Sequence, residues 1–404
     1  MDLTFVANDT RGGVEPYLAL AVEAVSRGHV VRAAAPEDYA VDFRRAGIRF
    51  GALRGIDRTS IAARSDQASL REMSRHVVEL TRTWAPEVRD LAAGTDLVVS
   101  GIGGMALARP VADALGAPLL RAHLQPLEAP STEYPGALGA ELGRFGPVGR
   151  RLSHVATRAG TGMLTRAPER AARTALGVTS GSSSTLPSIV YGFSPVVVPV
   201  RSDDRTARVA TGYWSLPATE DAVPSGLREF MAASGPVVSI GFGSMIPGDP
   251  ERLFEVVLDA VTRVGVRAVL LTGWGGLVGA VSDENMRVEA SVPYSWLFPR
   301  VAATVHHGGA GTTGAALAAG VPTFVVPFGA DQLFWGGRAE ALGVAPRAVT
   351  SRRLTVDRLS SAIDRMLGED GMRRRAAALG EELRAEDGAR RAIDHIESAL
   401  MVAS

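Results

Sequence analysis

The 404-residue sequence predicts an α/β protein of two domains, each built on a parallel, doubly wound sheet. Three observations carry this expectation. A strand, loop, helix, strand succession opens the chain, and the same succession begins again near residue 236. Short apolar runs in both halves end at glycine-rich turns, and 46% hydrophobic residues suffice to fill two cores.

The elements follow in order. Residues 3–7 are a short apolar run, read as a strand, followed by a polar, glycine-containing loop over 8–13. A helix is expected to start near Pro16, with Leu18, Ala21, Val22 and Val25 at helical spacing and Gly28 ending it. Residues 29–35 are the next strand and complete a βαβ unit. Residues 96–100 and 118–123 add two more. From about 126 to 180 the pattern turns irregular, with Pro126, Pro130, Pro135 and Pro147 among several glycines. That stretch reads as a mobile segment or a long structural insertion. The second block has strands at 237–240, 267–272, 303–307 and 323–327, and Asp249-Pro250 opens a helix running to about Val264. Residues 199–224 carry charges and prolines without clear periodicity, and the tail from Asp357 onward is helical.

Composition excludes several chemistries. The 43 basic and 43 acidic residues cancel, so overall charge makes no case for nucleic acid or an anionic membrane as the main partner. Cysteine is absent, which removes disulfides, thiolate nucleophiles and cysteine-ligated metals. Every basic residue other than histidine is arginine. Without lysine there is neither a pyridoxal phosphate Schiff base nor a Walker-type phosphate loop. The first residues lack a basic segment followed by a long apolar one, and no run reaches the ~18 apolar residues of a membrane span. A cytoplasmic protein without stable membrane insertion is expected.

The strongest local signal is Val305-His-His-Gly-Gly-Ala-Gly-Thr-Thr313, which follows a strand and precedes a helix. Gly308, Gly309 and Gly311 let backbone amides approach an anion, and the helix N-terminus adds a favourable dipole. Thr312 and Thr313 offer hydroxyls and His307 a ring N–H. The plainer alternative is a glycine-rich turn with a capped helix. A metal site is not expected, because the seven histidines are scattered and no carboxylate stands at ligand spacing near the pair. Gly241-Phe-Gly-Ser-Met245 ends another strand and can aim the Gly243 and Ser244 amides and the Ser244 hydroxyl at the same ligand. Alone it is an ordinary turn. Asp331 and Gln332, after a further strand, have short side chains suited to sugar hydroxyls, with Asp331 as a helix N-cap the alternative.

His307-Gly-Gly-Ala-Gly-Thr-Thr together with Asp331-Gln332 resembles the donor-binding signature of family 1 glycosyltransferases, and most of all the bacterial branch that decorates antibiotics. Thr10-Arg-Gly-Gly-Val-Glu-Pro16 resembles that branch's N-terminal loop, Gly241-Phe-Gly-Ser244 its interdomain serine loop and Thr211-Gly-Tyr-Trp214 its linker. The resemblance covers essentially the whole chain. It implies a GT-B architecture, two Rossmann-like domains facing a central cleft. The boundaries would be 1–200 for an acceptor-binding domain, 201–224 for the linker, 225–384 for a nucleotide-sugar-binding domain and 385–404 for a helix returning to the first domain. It also implies an inverting, metal-independent transfer from a dTDP- or UDP-sugar co-substrate to a hydrophobic small-molecule acceptor, with no cofactor, by a monomer or homodimer. Ser244, His307, Gly309, Gly311, Thr312 and Thr313 would hold the diphosphate, and Asp331 and Gln332 the sugar. The Val292 backbone and Trp274 would meet the nucleoside, and Thr10, Arg11 and Gly12 would form the acceptor-side loop.

The match breaks at Gly13, where the family carries the acidic residue or histidine that deprotonates the acceptor. Asp9 is one replacement. His123, Glu128 or Glu133 is another, and an acceptor acidic enough to need no base is a third. A general base is worth about 10²–10⁴ in rate, so its absence would slow such an enzyme without abolishing it. The competing expectation is a nucleotide-sugar-binding protein that assists a partner without transferring sugar.

Overall fold

The computed structural model describes residues 1–55, 67–179, 185–217, 223–243, 245, 249–273 and 282–403. They fall into two compact units, Met1–Leu216 with Glu386–Ser404, and Pro217–Ala385.

In the first unit the elements are β1 (Asp2–Val6), α1 (Arg11–Ser26), β2 (Val30–Pro36), α2 (Ala40–Arg45), β3 (Arg49–Leu53) and α3 (Gln67–Leu91). There follow β4 (Leu97–Ser100), α4 (Ile102–Leu115), β5 (Leu119–His123), α5 (Gly146–Leu176), β6 (Thr185–Tyr191) and β7 (Ala207–Ala210). The strands form one parallel sheet in the order β3-β2-β1-β4-β5-β6-β7. All four residues of β4 are buried, as a parallel strand covered on both faces requires. On one face Val6 and Val98 pack with Trp84 and Val88 of α3 and with Met105, Ala108 and Val111 of α4.

The second unit contains α6 (Ser225–Ala232), β8 (Val237–Gly241), α7 (Pro250–Val264), β9 (Arg267–Leu271), β10 (Met286–Glu289), α8 (Tyr294–Leu297) and β11 (Ala303–His306). It continues with α9 (Ala310–Ala319), β12 (Thr323–Val325), α10 (Gln332–Ala341), α11 (Val356–Gly368) and α12 (Asp370–Arg384). Its sheet runs β10-β9-β8-β11-β12, again parallel. Val238 and Ile240 face a core with Leu253 and Val257 of α7 and Ile363 of α11. Val237, one residue out of phase, faces the other core with Leu227, Trp296 and Ala316. The last helix, α13 (Gly388–Ala403), belongs to the first unit and lies against α1 and β6. Arg27 bonds Asp394 and Glu397, and the Ser188 hydroxyl lies 2.7 Å from His395 Nε2. No helix among the described residues is long and apolar enough to cross a membrane.

Three expectations need correction. The first helix begins at Arg11, not near Pro16, which sits inside it. Gly12 and Gly13 are weak helix formers and hid the start. Within the stretch 126–180, residues 137–176 are regular: a 3₁₀ segment, Ala137–Phe145, leads into the 31-residue α5. Its prolines are tolerated, Pro147 because it lies in the first turn, where its missing N–H costs nothing. Within the aperiodic stretch 199–224, residues 207–210 form β7, too short for a period-2 pattern to stand out.

Candidate functional site

Each sheet has one place where the strand order reverses, between β1 and β4 in the first unit and between β8 and β11 in the second. Loops leaving neighbouring strands there diverge and open a crevice, the usual ligand position in open α/β sheets. Asp9 and the glycine-rich turn around His307 lie at these two places.

In the second unit, Gly241 of β8 pairs with His306 of β11, which sets the loops after them side by side. Gly243 has φ +63, and a Cβ there would lie 3.0 Å from His307 Cε1. Gly273, past β9, has φ +56 and would place a Cβ 2.1 Å from the Gly243 carbonyl oxygen. Gly308 has φ +91, and its Cβ would meet Val325 Cγ1 at 2.4 Å. The loop after β9 thus lies on the Gly243 backbone, the His307 ring lies on Gly243, and Gly308 packs on Val325 and Gln332, so a side chain at these positions would be strained. Gly309 is the N-cap of α9 and uses no side-chain cap. The helix therefore begins two residues before Thr312, and its first amides have no intrahelical acceptor. That is the arrangement an anion needs.

His307 stands beside these amides. Its Nδ1 is buried without a partner, and burial pushes the ring down to about 4, so it is neutral near neutrality. His306 does different work. Its Nδ1 accepts the Gly308 N–H at 3.0 Å, so its proton sits on Nε2, which donates to Thr323 Oγ1 at 2.6 Å. Burial, and then the neighbouring His307, hold His306 down at about 3. This neutral ring pins the left-handed turn at Gly308. Sequence reasoning passed over His306; the signal was its place on the strand, one residue out of phase with His307.

Thr312 and Thr313 lie in the first turn of α9, both buried, and Thr313 Oγ1 has no partner. Asp331 precedes α10 but does not cap it; its Oδ2 accepts from Trp335 Nε1 at 2.8 Å. Ala330 before it has φ 52, a left-handed conformation that turns the chain into the helix. Gln332 Oε1 accepts the Phe328 and Gly329 amides, while its Nε2 lies 3.1 Å from Met245 Sδ, a weak acceptor that a hydroxyl can displace. The Val292 side chain is buried in the core beside Trp296. Ser244 and Trp274 lie outside the described residues.

In the first unit, Ala7, Asn8, Asp9, Gly13, Gly103 and Gln125 are among the residues lining a recess at the β1/β4 reversal. A Cβ built on Gly13 would lie 2.2 Å from Asp9 Cγ and 2.4 Å from Asp9 Oδ2. The Asp9 carboxyl group thus fills the space a side chain at position 13 would occupy. Asp9 Oδ1 accepts the Thr10 amide at 2.6 Å. Tyr17 beneath donates to the Ala122 carbonyl oxygen, and burial followed by the Asp9 charge pushes its phenol well above the usual range. Thr10 is the N-cap of α1, and Arg11 pairs with Glu15 one turn on. Gly12 has open space around it.

The other three candidates are elsewhere. His123 Nε2 lies 3.2 Å from Glu128 Oε1, and Arg121 donates to Glu128 Oε2 at 2.5 Å. Burial raises the Glu128 carboxyl, but His123 and then Arg121 outweigh it and hold it at about 2. That group is an ion-pair anchor, too weak a base to take a hydroxyl proton. Glu133 is exposed and paired with Arg201 at 2.9 Å. None of the three lines the recess with Asp9.

Two doubly wound units, one with an amide-lined anion cradle at its strand reversal, define a protein of the GT-B fold. Residues 255–397 match the family described as erythromycin biosynthesis protein CIII-like, C-terminal domain. SnogD, a glycosyltransferase from Streptomyces nogalater, superposes with a TM-score of 0.69 at 20% identity, covering 98% of this chain and 99% of its own. The glycosyltransferase VinC in complex with dTDP superposes with a TM-score of 0.64 at 20% identity, covering 99% of this chain and 100% of its own. A sterol 3-beta-glucosyltransferase of Cryptococcus neoformans is 32% identical over 98% of this chain and 27% of its own length. The chain spans about a third or less of the curated relatives it matches. The chain thus shares the GT-B fold of these glycosyltransferase structures, and residues 255–397 carry the family match.

Proposed function

We propose that this protein is an inverting glycosyltransferase that moves a sugar from a dTDP- or UDP-sugar to a hydroxyl of a hydrophobic small molecule, with Asp9 as the base and no metal in the step. The relative named for sterol 3-beta glucosylation supports a polycyclic alcohol as acceptor, and VinC with dTDP supports a nucleoside diphosphate donor.

The observation that carries the reading is the Asp9 carboxyl group standing in the space of the missing side chain at Gly13. A family position that lost its carboxylate keeps one there from four residues earlier. In the step, Asp9 takes the proton of the acceptor hydroxyl as its oxygen attacks the anomeric carbon. The bond from that carbon to the diphosphate oxygen breaks, and the electron pair leaves with the phosphate. The α9 amides and the His307 ring hold that growing negative charge, each such donor being worth about 3–4 kcal/mol in related oxyanion sites.

The test is release of nucleoside diphosphate from dTDP-glucose and UDP-glucose in the presence of sterol, macrolide and phenolic acceptors. Asp9→Asn is expected to lower turnover about 10²–10⁴-fold with donor affinity intact. The double variant Asp9→Gly, Gly13→Asp is expected to recover at least part of that loss, because it clears the space and moves the carboxylate to position 13. Donor binding without any transfer across the panel would instead favour the partner-assisting role.

A further inference from the structure

Among the described residues ten large hydrophobic side chains are exposed, and six of them lie in one stretch, Phe145, Val148, Leu152, Val155, Met163 and Leu164, each 55–76% exposed. Scattered exposed side chains need no explanation, but a contiguous group does. At about 100° per residue, Val148, Leu152, Val155, Ala159 and Met163 fall within an arc of roughly 80° on α5, a stripe about 22 Å long from Val148 to Met163, and Phe145 lies just before the helix. The opposite face of the helix is buried through Ser153, His154 and Thr157. Its stripe therefore faces away from the core of its own unit.

Over residues 142–168 the charge is of one sign, and Glu169 beyond them pairs with Arg109 and Arg173. Arg151 and Arg158 are exposed and stand seven residues apart on α5, forming a ridge along one side of the stripe, and exposed Arg144 lies just before the helix. Arg166 and Arg170, also exposed, extend the positive charge beyond its C-terminal end. The sequence from 142 to 168 contains no aspartate or glutamate. The chain is neutral as a whole, so this is local segregation.

We infer that α5 is a peripheral docking face for an anionic lipid bilayer, with the apolar stripe in the headgroup boundary and the arginine ridge on lipid phosphates. An interfacial helix needs this combination of an apolar face and a cationic flank. Guanidinium groups bind phosphate oxygens in pairs. A protein helix partner is a poorer match, because heptad pairing is specified by flanking charges of both signs. A second copy is poorer still, since antiparallel stripes would set one arginine ridge against the other. The inference stands apart from the chemistry proposed above and does not need it.

The experiment is flotation of the full chain with vesicles of phosphatidylcholine alone and of phosphatidylcholine mixed with phosphatidylglycerol. Wild type is expected to float with the mixed vesicles at least about ten-fold more strongly, and to be released by salt. The variant Leu152→Glu, Val155→Glu is expected to lose binding, and Arg151→Ala, Arg158→Ala to weaken it about five-fold per arginine. All four side chains are exposed, so thermal unfolding should match wild type; if the glutamate pair unfolds, the arginine pair carries the test. Absence of flotation at low salt, equal binding to both vesicles, or binding untouched by the folded variants overturns the inference. So does a dimer in light scattering that the glutamate pair converts to a monomer, which would make the stripe a self-interface.

Discussion

At the scale of single residues the proposed donor side rests on two adjacent histidines with separate surroundings. His307 has a buried, unpartnered Nδ1 among free helix amides, while His306 is fully engaged by Gly308 and Thr323. His307→Ala removes one donor from the leaving phosphate and is expected to lower kcat/KM about 10²-fold, with weaker binding of dTDP or UDP by calorimetry. Unchanged rate and affinity would remove His307 from the site. Acid should act through the same rings. Burial holds His306 at about 3 and His307 at about 4, and lowers His154 and His395 as well. Below their ordinary value of about 6.5 the unfolded chain binds protons that the folded chain refuses, so stability falls as pH drops from about 6.5 toward 4. Glu128, held at about 2, adds its own loss as pH falls below about 4.5. The urea midpoint should therefore be clearly lower at about pH 5 than at about pH 7, and less so in His306→Gln. A flat profile would contradict the assignment.

At the scale of elements, the turn from β11 into α9 decides whether the cradle exists. Gly308→Ala forces a side chain into φ +91 and against Val325 Cγ1 at 2.4 Å and the Gln332 carbonyl oxygen at 2.9 Å. The strain and overlap together are expected to cost about 2–4 kcal/mol and to abolish tight donor binding. Gly337 in α10 is the matched control, exposed and with open space around its Cβ position. Gly337→Ala should stabilise by about 0.5–1 kcal/mol, through the higher helix propensity of alanine. Chemical denaturation of the pair, with donor titration, separates a strained turn from a general aversion to alanine.

At the scale of the molecule, the two units differ in how they are closed. The second is one continuous segment with its own cores on both faces of the sheet. Residues 217–385 expressed alone should fold cooperatively and bind dTDP or UDP; an unfolded fragment would show that its core is not self-sufficient. The first unit is completed only by α13, through Arg27 with Asp394 and Glu397, and Ser194 with Glu386. Ala392, Ile393 and Ile396 of this helix are fully buried. Truncation after Ala385 should destabilise the first unit by several kcal/mol, since each such buried apolar side chain contributes about 1.5–3 kcal/mol. Calorimetry of the truncated chain would then show the second unit's transition little changed and the first lost or strongly lowered.

The sequence by itself determined the parallel α/β class and the glycine-rich turn into α9, because both are local. Continuous apolar runs ending at glycines mark buried parallel strands, and His307 to Thr313 needs only its own strand and helix to form a cradle. Asp249 before Pro250 likewise announced the N-cap it makes, accepting the Arg252 amide at 2.9 Å. What tertiary structure alone decided is non-local. The duty of His306 depends on Thr323 from the neighbouring strand, and Asp331 serves Trp335 rather than a helix cap. Glu128 drops out as a base because strand β5 supplies His123 and Arg121 beside it. The long helix α5 was hidden because Gly149, Gly160 and Gly162, weak helix formers, and the prolines Pro147 and Pro168 interrupt its sequence. Asp9 stood only as one candidate among several until folding placed its carboxyl group in the space of the missing side chain at Gly13. Spacing along a chain reports which groups are near in sequence; only packing reports which of them share one volume.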